Sequence, residues 1–478
     1  MKTRLIILIV FTALTGAACS TGLSELRAEG GDPIITGQPT DPTESPGQST
    51  RPTTDVNQRP YQETVDLSIA DIQAFWTAEM PGTYGRDFVP IPADEIYAYG
   101  RSTPPPACGN GPQPSPEELL GNAFYCTEGD FIAFDDETLF PDLYESYGSY
   151  AVAMVLAHEW GHAAQDQLGL SSGRVRTVDL EQQADCFAGA WTKWVGDGES
   201  ASLNLSAGSL DAALGGMLEF RDAPGTNPND PAAHGSGFDR VRAFRDGFTS
   251  GIDACAEYES NPPQIMQLPF TEDEYVSGGN LPYLDLIELL VPDFDGWIAS
   301  EFPSFTPLSG ADGYDPATEG VTCGDTSLSG EDANGKIFYC SSDNSIRWDE
   351  PWLAGINDDS GDFATGLLLG MQYGVALQAQ NGADDGAIAS EEGIQQRACL
   401  VGAYSGSLVD ERQRPTLDTN GEPVRQLSIS GGDLDEALAS LISFTSADDV
   451  GESGSSLAFD RIEAFQNGVL EGTSACGF

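Results

Sequence analysis

Basic side chains are scarce in this sequence. There are 21 lysines and arginines against 75 aspartates and glutamates, which gives a formal net charge of −54 at pH 7. Such an acidic chain repels phosphate backbones and anionic lipid surfaces, so nucleic acid is a poor candidate partner. We interpret the acidity as a solvated, salt-tolerant surface. Calcium binding by the acidic pairs Asp358-Asp359 and Asp384-Asp385 is an alternative, although neither pair has the spacing of an EF-hand loop.

Long apolar runs are also scarce, and the clearest one lies at the N-terminus. Residues 5–14 are mostly apolar and follow two basic residues, but the run is too short to be a comfortable membrane-spanning helix. This pattern predicts an export signal over residues 1–18. The small residues before Cys19 resemble the lipobox of bacterial lipoproteins, in which that cysteine is acylated, although Gly16 replaces the usual Leu. We expect a chain attached to the outer face of the bacterial cell membrane only through lipidated Cys19. Cleavage by an ordinary signal peptidase, which would give a secreted protein, is the alternative.

The segment after the predicted anchor has almost no apolar periodicity. It is rich in Pro, Thr, Gly, Asp and Ser, so residues 19–66 are predicted to form an extended tether. Apolar patterning begins at about Leu67. The whole chain of 478 residues has room for two or three domains of ordinary size.

The remainder of the chain contains an internal duplication. Corresponding residues are separated by 213 to 221 positions, as for Asp185 and Ala398 or for Phe238 and Phe459. We therefore predict one repeat over residues 67–257, a linker over 258–282 and a second repeat over 283–478. The matching stretches are GNAFYC (121–126) with GKIFYC (335–340), DCFAGAW (185–191) with ACLVGAY (398–404), and FDRVRAF (238–244) with FDRIEAF (459–465).

The nine cysteines fit this duplication. Setting Cys19 aside leaves four in each repeat at corresponding places, and an even number in an exported chain predicts disulfides. The simplest scheme repeats itself: Cys108 with Cys126, Cys186 with Cys255, Cys323 with Cys340, and Cys399 with Cys476.

The first repeat is predicted to place a short hairpin beside a long helix. Residues 124–134 alternate in polarity around Gly129-Asp130, which is typical of a hairpin. Residues 149–168 contain no proline and only one interior glycine, so they predict a helix. A second helix is predicted from about Val178 to Val195, with Asp179 as its N-cap.

Histidine is scarcer still, with three residues in the whole chain, and two of them lie in the sequence His158-Glu159-Trp160-Gly161-His162. Residues four apart lie one turn apart on the same helix face, so the two imidazoles form a chelating pair for zinc. Glu159 would reach a water on the metal instead of the metal itself, which is the position of a general base. A chance match on an amphipathic helix is the alternative, and the scarcity of histidine argues against it.

A catalytic zinc needs a third protein ligand and an open fourth position. Glu181 and Asp185 lie one turn apart on the next predicted helix. We predict Glu181 as the third ligand, and Asp185 as a hydrogen-bond acceptor that orients one ligand histidine. An ordinary pair of acids on a helix surface is the alternative.

Taken together, these motifs resemble the bacterial family of putative neutral zinc metallopeptidases, a zincin-type group. The resemblance covers nearly all of the first repeat and rests on FYCTEGDFIAFD (124–135), LAHEWGHAAQDQLG (156–169), LEQQADCFAGAW (180–191) and HGSGFDRVRAFRDGF (234–248). It implies a zinc metalloendopeptidase and leaves the substrate open. We therefore expect an α+β, mainly helical fold of two tandem zincin-like repeats, each with a short hairpin beside its HExxH-type helix.

The third histidine, His234, begins the last of these stretches. The resemblance implies a role in the site, either in stabilising the oxyanion of the reaction or in binding substrate. A surface loop histidine is one alternative, and a zinc ligand in place of Glu181 is another.

The second repeat lacks every one of these groups. We predict that it is a pseudoenzyme, that the chain binds one zinc ion, and that the two repeats can pack as an intramolecular pseudo-dimer. The substitutions are His158 to Met371, Glu159 to Gln372, His162 to Val375, Glu181 to Ile394, Asp185 to Ala398 and His234 to Ser455.

The predicted function is zinc-dependent hydrolysis of peptide bonds in a peptide or protein substrate, with Glu159 activating a zinc-bound water. A non-catalytic surface binding protein stabilised by zinc is one alternative. A zinc hydrolase that acts on a non-peptide amide is another.

Overall fold

The computed structural model describes residues 59–109, 113–171, 175–413, 425, 427–443 and 457–478. The predicted signal peptide (1–18), the lipidation site Cys19 and the predicted tether up to residue 58 lie outside this part of the chain. Ser455, the predicted counterpart of His234, also lies outside it.

Helices dominate both halves of the described chain and small sheets accompany them, so the α+β, mainly helical fold class is confirmed. Within the described residues, no helix combines the length and apolar content needed to cross a membrane. The first half contains α1 (Gln62–Tyr84), β1 (Ile96–Tyr99), α2 (Pro116–Leu119), β2 (Ala123–Cys126), β3 (Phe131–Asp135), α3 (Leu139–Tyr147), α4 (Ser149–Leu168), α5 (Thr177–Gly196), α6 (Ala207–Glu219), α7 (Gly237–Ser250) and α8 (Ile252–Glu257). The second contains α9 (Glu274–Ser277), α10 (Tyr283–Glu301), β4 (Gly310–Tyr314), β5 (Val321–Cys323), β6 (Thr326–Leu328), β7 (Ile337–Cys340), β8 (Ser345–Asp349), α11 (Glu350–Ser360), α12 (Asp362–Gln380), α13 (Asp385–Ala389), α14 (Glu391–Gln413), α15 (Asp433–Ser443) and α16 (Leu457–Glu471).

Each half has a three-stranded sheet of the same design. In the first half, β2 and β3 form the predicted hairpin, and β1 pairs in parallel with β3 to give the order β1-β3-β2. In the second half, β4, β8 and β7 repeat this order and these directions. The sequence predicts the hairpin but misses the parallel strand, because its partner lies beyond the intervening α2 and β2.

A buried helix lies at the centre of each half. α4 contacts α1, α3, α5, α6 and β2, and α12 makes corresponding contacts with α10, α11, α14, α15 and β7. Almost all of α4 from Tyr150 to Gln165 is buried. The predicted bounds of α4 agree with the structure. α5 begins at Thr177, and its N-cap position is occupied by Arg176 instead of the predicted Asp179, which pairs with the Arg176 guanidinium.

Four disulfides join the same cysteine pairs that the duplicated pattern predicts: Cys108 with Cys126, Cys186 with Cys255, Cys323 with Cys340, and Cys399 with Cys476. Cys186 lies in α5 and Cys255 in α8, so this bond ties the two helices together. Cys399 and Cys476 similarly tie α14 to the C-terminal segment. Four disulfides fit a protein that works outside the cytoplasm.

The two halves share one continuous hydrophobic core. Phe238 of α7 packs edge-to-face on Phe465 of α16, with ring centroids 6.5 Å apart. Phe248 and Phe459 make a second such contact at 5.1 Å. The side-chain amide of Gln466 donates a 3.0 Å hydrogen bond to the carbonyl of Phe238. The halves therefore pack through apolar and hydrogen-bonded contacts like those of a domain interior.

Two predicted boundaries differ from the structure. α1 begins at Gln62, inside the predicted tether, and the preceding Tyr61 is buried against Phe140. The start of α1 cannot be recognised from the spacing of apolar residues, because the buried face of this helix also contains polar residues such as Ser68 and Asp71. The predicted linker over 258–282 contains α9. An isolated β-bridge between Gly225 and Pro269 attaches it to the first half.

Candidate metal centre

Two histidines face each other along α4. His158 and His162 lie one turn apart, and their Nε2 atoms are separated by 3.1 Å. Both side chains are buried, with 7% and 8% of their surface exposed. The helix therefore presents two imidazole nitrogens at one point in the protein interior.

The glycine between the histidines lets α5 approach α4 closely. A Cβ atom at Gly161 would lie 3.1 Å from the Cα and 3.2 Å from the Cβ of Ala184, which is tighter than ordinary van der Waals contact. The backbones of the two helices can approach this closely at Gly161 because it has no side chain. Glu181 and Asp185 flank Ala184 in α5, so the crossing brings both acids to the histidines.

The Glu181 carboxylate completes a three-residue cluster. Its Oε2 lies 3.2 Å from Nε2 of His158 and its Oε1 lies 3.4 Å from Nε2 of His162. Although fully buried, neither oxygen has a partner in hydrogen-bond geometry among the described residues. Ligand atoms of a tetrahedral zinc ion, with bonds of about 2.0–2.1 Å, are roughly 3.3 Å apart. The residues present therefore fit a zinc ion in both donor type and spacing.

The opposite nitrogen of each histidine is held by a neighbouring side chain. Nδ1 of His158 lies 2.7 Å from Oδ1 of Asp185, and Nδ1 of His162 lies 2.9 Å from Oε1 of Gln165. Gln165 is fixed in turn, because its amide nitrogen donates to the carbonyl of Leu180 at 2.7 Å. Each imidazole is therefore oriented with Nε2 free for a ligand, as in other histidine metal sites.

Asp185 is itself held by a buried arginine. Nε and one terminal nitrogen of Arg240 donate to the two oxygens of Asp185 at 2.9 and 2.8 Å, and another donates to the carbonyl of Phe220. Burial would disfavour the charge on Asp185, but Arg240 and His158 outweigh it and hold the pKa of Asp185 below its ordinary value. The arginine thus keeps Asp185 ionised and fixed in orientation.

The electrostatics of the cluster favour positive charge at the histidines. Burial would lower the pKa of His158, but the carboxylates of Asp185 and Glu181 raise it to about 10. Burial would likewise raise the pKa of Glu181, but His162 and His158 hold it well below its ordinary value. A buried carboxylate in this setting needs a cation, either as protons on the imidazoles or as a metal ion.

Glu159 lines the same cavity as His158 and Glu181. It is buried and accepts a hydrogen bond from the backbone N–H of Tyr125 in β2, while its Oε2 has no partner among the described residues. Burial raises its pKa above the ordinary value. One carboxylate oxygen is thus free to accept a proton.

His234 lies in the loop before α7, in the wall of the same cavity. Its Nδ1 lies 3.3 Å from Oδ1 of Asp222, and Asp222 also accepts hydrogen bonds from the backbone N–H groups of His234 and Gly235. Among the described residues, the structure clusters Glu181 with the two α4 histidines and leaves His234 outside that cluster.

The cavity above these groups encloses about 610 Å³ of space, part of it open to solvent. Its lining combines the polar groups of the candidate site with apolar side chains, among them Leu139, Met154, Val155, Ala188, Met217 and Phe220.

Comparison with known proteins matches the region that holds this site. The family model described as "Putative neutral zinc metallopeptidase" matches residues 2–258, which is more than half of the chain. The chain belongs to this family.

The family relatives found among curated proteins are themselves described as uncharacterized. Protein YpfJ of Escherichia coli strain K12 is 30% identical over 170 residues, which cover 31% of this chain and 55% of YpfJ. Protein Rv2575 of Mycobacterium tuberculosis strain H37Rv is 28% identical over 206 residues, covering 38% of this chain and 64% of the relative. The chain thus spans less than two thirds of the relatives it matches. No solved structure matches it.

The second half of this family member lies beyond residue 258, outside the matched region, and its counterpart residues are apolar or neutral. Met371, Gln372 and Val375 occupy α12, and Ile394 and Ala398 occupy α14. Some hydrogen bonds recur. Oε1 of Gln372 accepts a 3.1 Å hydrogen bond from the backbone N–H of Tyr339, as Glu159 accepts one from Tyr125, and the Gln378 amide donates to the carbonyl of Gly393 as that of Gln165 donates to Leu180.

Two residues of the candidate site are missed by sequence reasoning. Arg240 lies in a stretch whose sequence recurs in the second half, which suggests a structural role, and its partner Asp185 is far away in the sequence. Gln165 also has a counterpart, Gln378, in the second half. The sequence feature that could have predicted the contact of Gln165 with His162 is their spacing, because Gln165 follows His162 by about one turn of the same helix.

Proposed function

We propose that this chain is a zinc-dependent peptidase in which His158, His162 and Glu181 hold one zinc ion. Three observations support the ligand set: the 3.1–3.4 Å spacing of the facing atoms, the carboxylate oxygens of Glu181 without hydrogen-bond partners, and the engaged Nδ1 atoms of both histidines. A fourth position open to the cavity is typical of catalytic zinc sites.

Glu159 is the general base in this proposal. The observation that carries it is the buried, unpartnered Oε2 of Glu159 next to the ligand cluster. Zinc, when bound, supplies a Lewis acid that acidifies water and polarises a carbonyl group. Oε2 takes a proton from the attacking water as the water oxygen adds to the peptide carbonyl carbon. Glu159 then gives that proton to the amine nitrogen as the C–N bond breaks.

His234 stabilises the carbonyl oxygen as negative charge develops on it. Its place in the cavity wall and the contact of its Nδ1 with Asp222 support this role, because that contact leaves Nε2 for the substrate. Arg240 acts as a positioning residue that keeps Asp185 against His158.

The apolar part of the cavity lining binds an apolar side chain of the substrate. Met154, Met217 and Phe220 line the same cavity as the polar groups, and methionine side chains adapt to ligands of different shape. The substrates are therefore peptides or proteins with an apolar residue next to the cleaved bond.

The second half is a degenerate copy of the peptidase repeat, and the two copies pack as an intramolecular pseudo-dimer. The shared strand order and the retained Tyr339–Gln372 hydrogen bond support a common origin. Because the counterparts of the zinc ligands are Met371, Val375 and Ile394, the chain binds one zinc ion.

The protein acts outside the cytoplasm, attached to the membrane through lipidated Cys19. The four disulfides and the signal-like N-terminus support export. The lipobox-like position of Cys19 supports the anchor.

A non-catalytic binding protein with a structural zinc is the competing function. A structural site has no use for a free carboxylate oxygen beside an open position, so the environment of Glu159 favours catalysis.

The deciding experiment is the Glu159→Gln substitution. Gln372 already accepts the equivalent backbone hydrogen bond in the second half, so the amide is expected to preserve the fold and the zinc. Zinc content is measured by mass spectrometry, and hydrolysis is measured with a broad peptide library, with and without chelator. We expect one zinc ion and a loss of activity of at least 100-fold, in line with removal of a general base. Gln372→Ala is the matched control and should stay active. Full activity of Glu159→Gln would refute the base, and a wild-type protein that binds zinc but cleaves no peptide would favour the binding protein.

A further inference from the structure

Three carboxylates of the second half meet in a cluster that shares no residue with the zinc site. Asp362 is the first residue of α12, Asp433 is the first residue of α15, and Glu436 lies one turn after Asp433. One oxygen from each lies within 4.8 Å of the other two. Asp362 and Asp433 are 4% and 3% exposed, whereas Glu436 is half-buried, so the cluster has access to solvent at Glu436.

Among the described residues, no basic side chain pairs with these three carboxylates. None of the ion pairs between described residues includes Asp362, Asp433 or Glu436. Burial and mutual repulsion raise the pKa of Asp433 and of Glu436, and burial raises that of Asp362. Carboxylates so placed must either keep protons or share a cation.

Two side chains that bond to Leu281, those of Asp362 and Asn357, each have one buried oxygen without a hydrogen-bond partner among the described residues. Oδ2 of Asp362 accepts a 2.8 Å hydrogen bond from the N–H of Leu281, but its Oδ1 has no partner among the described residues. Asn357 is also 4% exposed, and its Oδ1 is likewise without a partner. Its amide nitrogen donates to the carbonyl of Leu281, so one residue holds both Asn357 and Asp362. A cation would satisfy the orphaned oxygen of Asp362, which an apolar interior cannot.

The cluster is an addition to the second half and not part of the frame common to both. The stretch SGGDLDEAL (430–438) matches SAGSLDAAL (206–214), so Asp433 corresponds to Ser209 and Glu436 to Ala212. The first residue of α4, which corresponds to Asp362, is Ser149. A role in folding that both halves share would not require these three acids.

We propose that Asp362, Asp433 and Glu436 form a calcium site in the second half. The donors are all oxygen, without nitrogen or sulfur, which suits a hard cation better than zinc. Calcium accepts irregular arrangements of carboxylate oxygens, whereas magnesium requires near-ideal octahedral geometry and usually keeps several waters, so a buried cluster of three carboxylates suits calcium better. The exposed pairs Asp358-Asp359 and Asp384-Asp385 lie outside the two potential metal-binding groups found among the described residues.

The test is a calorimetric titration of the full, zinc-loaded chain with calcium chloride, together with thermal unfolding in calcium or chelator. We expect one calcium ion per chain, a rise in Tm with calcium, and weaker binding of magnesium. Asp433→Asn should weaken calcium binding at least tenfold. Because the amide relieves repulsion, the calcium-free variant should be at least as stable as the calcium-free wild type.

Two further variants make the result decisive. Glu436→Gln alters the half-buried member of the cluster, so it is the least disruptive change and should also weaken binding at least tenfold. The double variant Asp358→Asn, Asp359→Asn removes two exposed acids from the neighbouring α11 and should bind calcium as the wild type does. Absence of calcium binding by the wild type, unchanged binding by the Asp433 and Glu436 variants, loss of binding by the double variant, or equal binding of magnesium would each overturn the assignment.

Discussion

The carboxylate of Asp435 accepts a 2.7 Å hydrogen bond from the backbone N–H of Phe238, and a second from that of Gly237 at 3.0 Å. Asp435 lies in α15 of the second half, whereas the two amides begin α7 of the first half. Two residues further along α7, Arg240 holds Asp185 against His158. A residue of the half without zinc ligands thus fixes the start of a helix that supports the proposed zinc site.

We therefore expect Asp435→Ala to affect both stability and metal binding. Loss of a helix cap lowers the free energy of unfolding by about 1 kcal/mol. Movement of Arg240 should also weaken zinc binding, which is measurable by competition with a chromogenic chelator.

Asp211 provides the matched control. It occupies the corresponding place in α6 and accepts a 3.3 Å hydrogen bond from the N–H of Phe459 at the start of α16. Because α16 carries no zinc-site residue, Asp211→Ala should lower stability without changing zinc affinity. Equal zinc affinities for the Asp435 variant and the wild type would show that loss of the hydrogen bonds from Asp435 to the start of α7 does not affect the zinc site.

Arg240→Lys tests the positioning role of the guanidinium. A lysine cannot reproduce the paired hydrogen bonds to Asp185, so His158 loses a fixed partner. We expect zinc affinity to fall by about 10- to 100-fold, as is typical when the hydrogen-bond partner of a ligand is lost.

The second half offers a control for this change as well. Arg461 corresponds to Arg240 but pairs with Glu391, away from the zinc site. Arg461→Lys should leave zinc affinity unchanged. A similar loss in both variants would point to general destabilisation.

Gly161→Ala tests the helix crossing. The added methyl group would press on the backbone of Ala184 and push α5, with Glu181, away from the histidines. We expect reduced zinc content in the purified variant. At Gly374, the counterpart in α12, a Cβ would lie 2.6 Å from Cγ and 3.0 Å from Cβ of the buried Arg397, so Gly374→Ala is also a crowding change, but no proposed zinc ligand lies there. Gly374→Ala should therefore retain one zinc ion, and full zinc content in Gly161→Ala would contradict the argument.

Chelation should remove one zinc ion per chain and lower Tm. A ligand present at about 100 times its Kd stabilises the folded state by about 2.7 kcal/mol, which a thermal melt resolves easily. Metal analysis of the His162→Ala variant should give no bound zinc. Two zinc ions in the wild type, or one in this variant, would place zinc in the second half or elsewhere.

The parts of the site that follow from helix periodicity could be predicted from the sequence. His158 and His162 share a helix face because they are four residues apart, and the same spacing holds Glu181 and Asp185 together. The structure brings both pairs to one place at the Gly161 crossing.

The remaining features depend on pairings that are distant in the sequence. The parallel strand β1, the Arg240–Asp185 pair and the cluster of Asp362 with Asp433 each join elements separated by at least one other helix or strand. No local pattern encodes such pairings, since each residue is unremarkable in its own segment. The predicted duplication also directs attention away from Arg240, because the matching Arg461 suggests that both arginines have a structural role.

The continuous core between the halves also determines how the protein denatures. Because Phe238 and Phe465 bury their rings against each other, neither half can expose its core while the other stays intact. Unfolding should be a single cooperative transition, and a cavity made in the second half would raise the fraction of molecules whose zinc site is disassembled. Natural variation far from His158 can thereby set how much folded protein a cell maintains at its growth temperature.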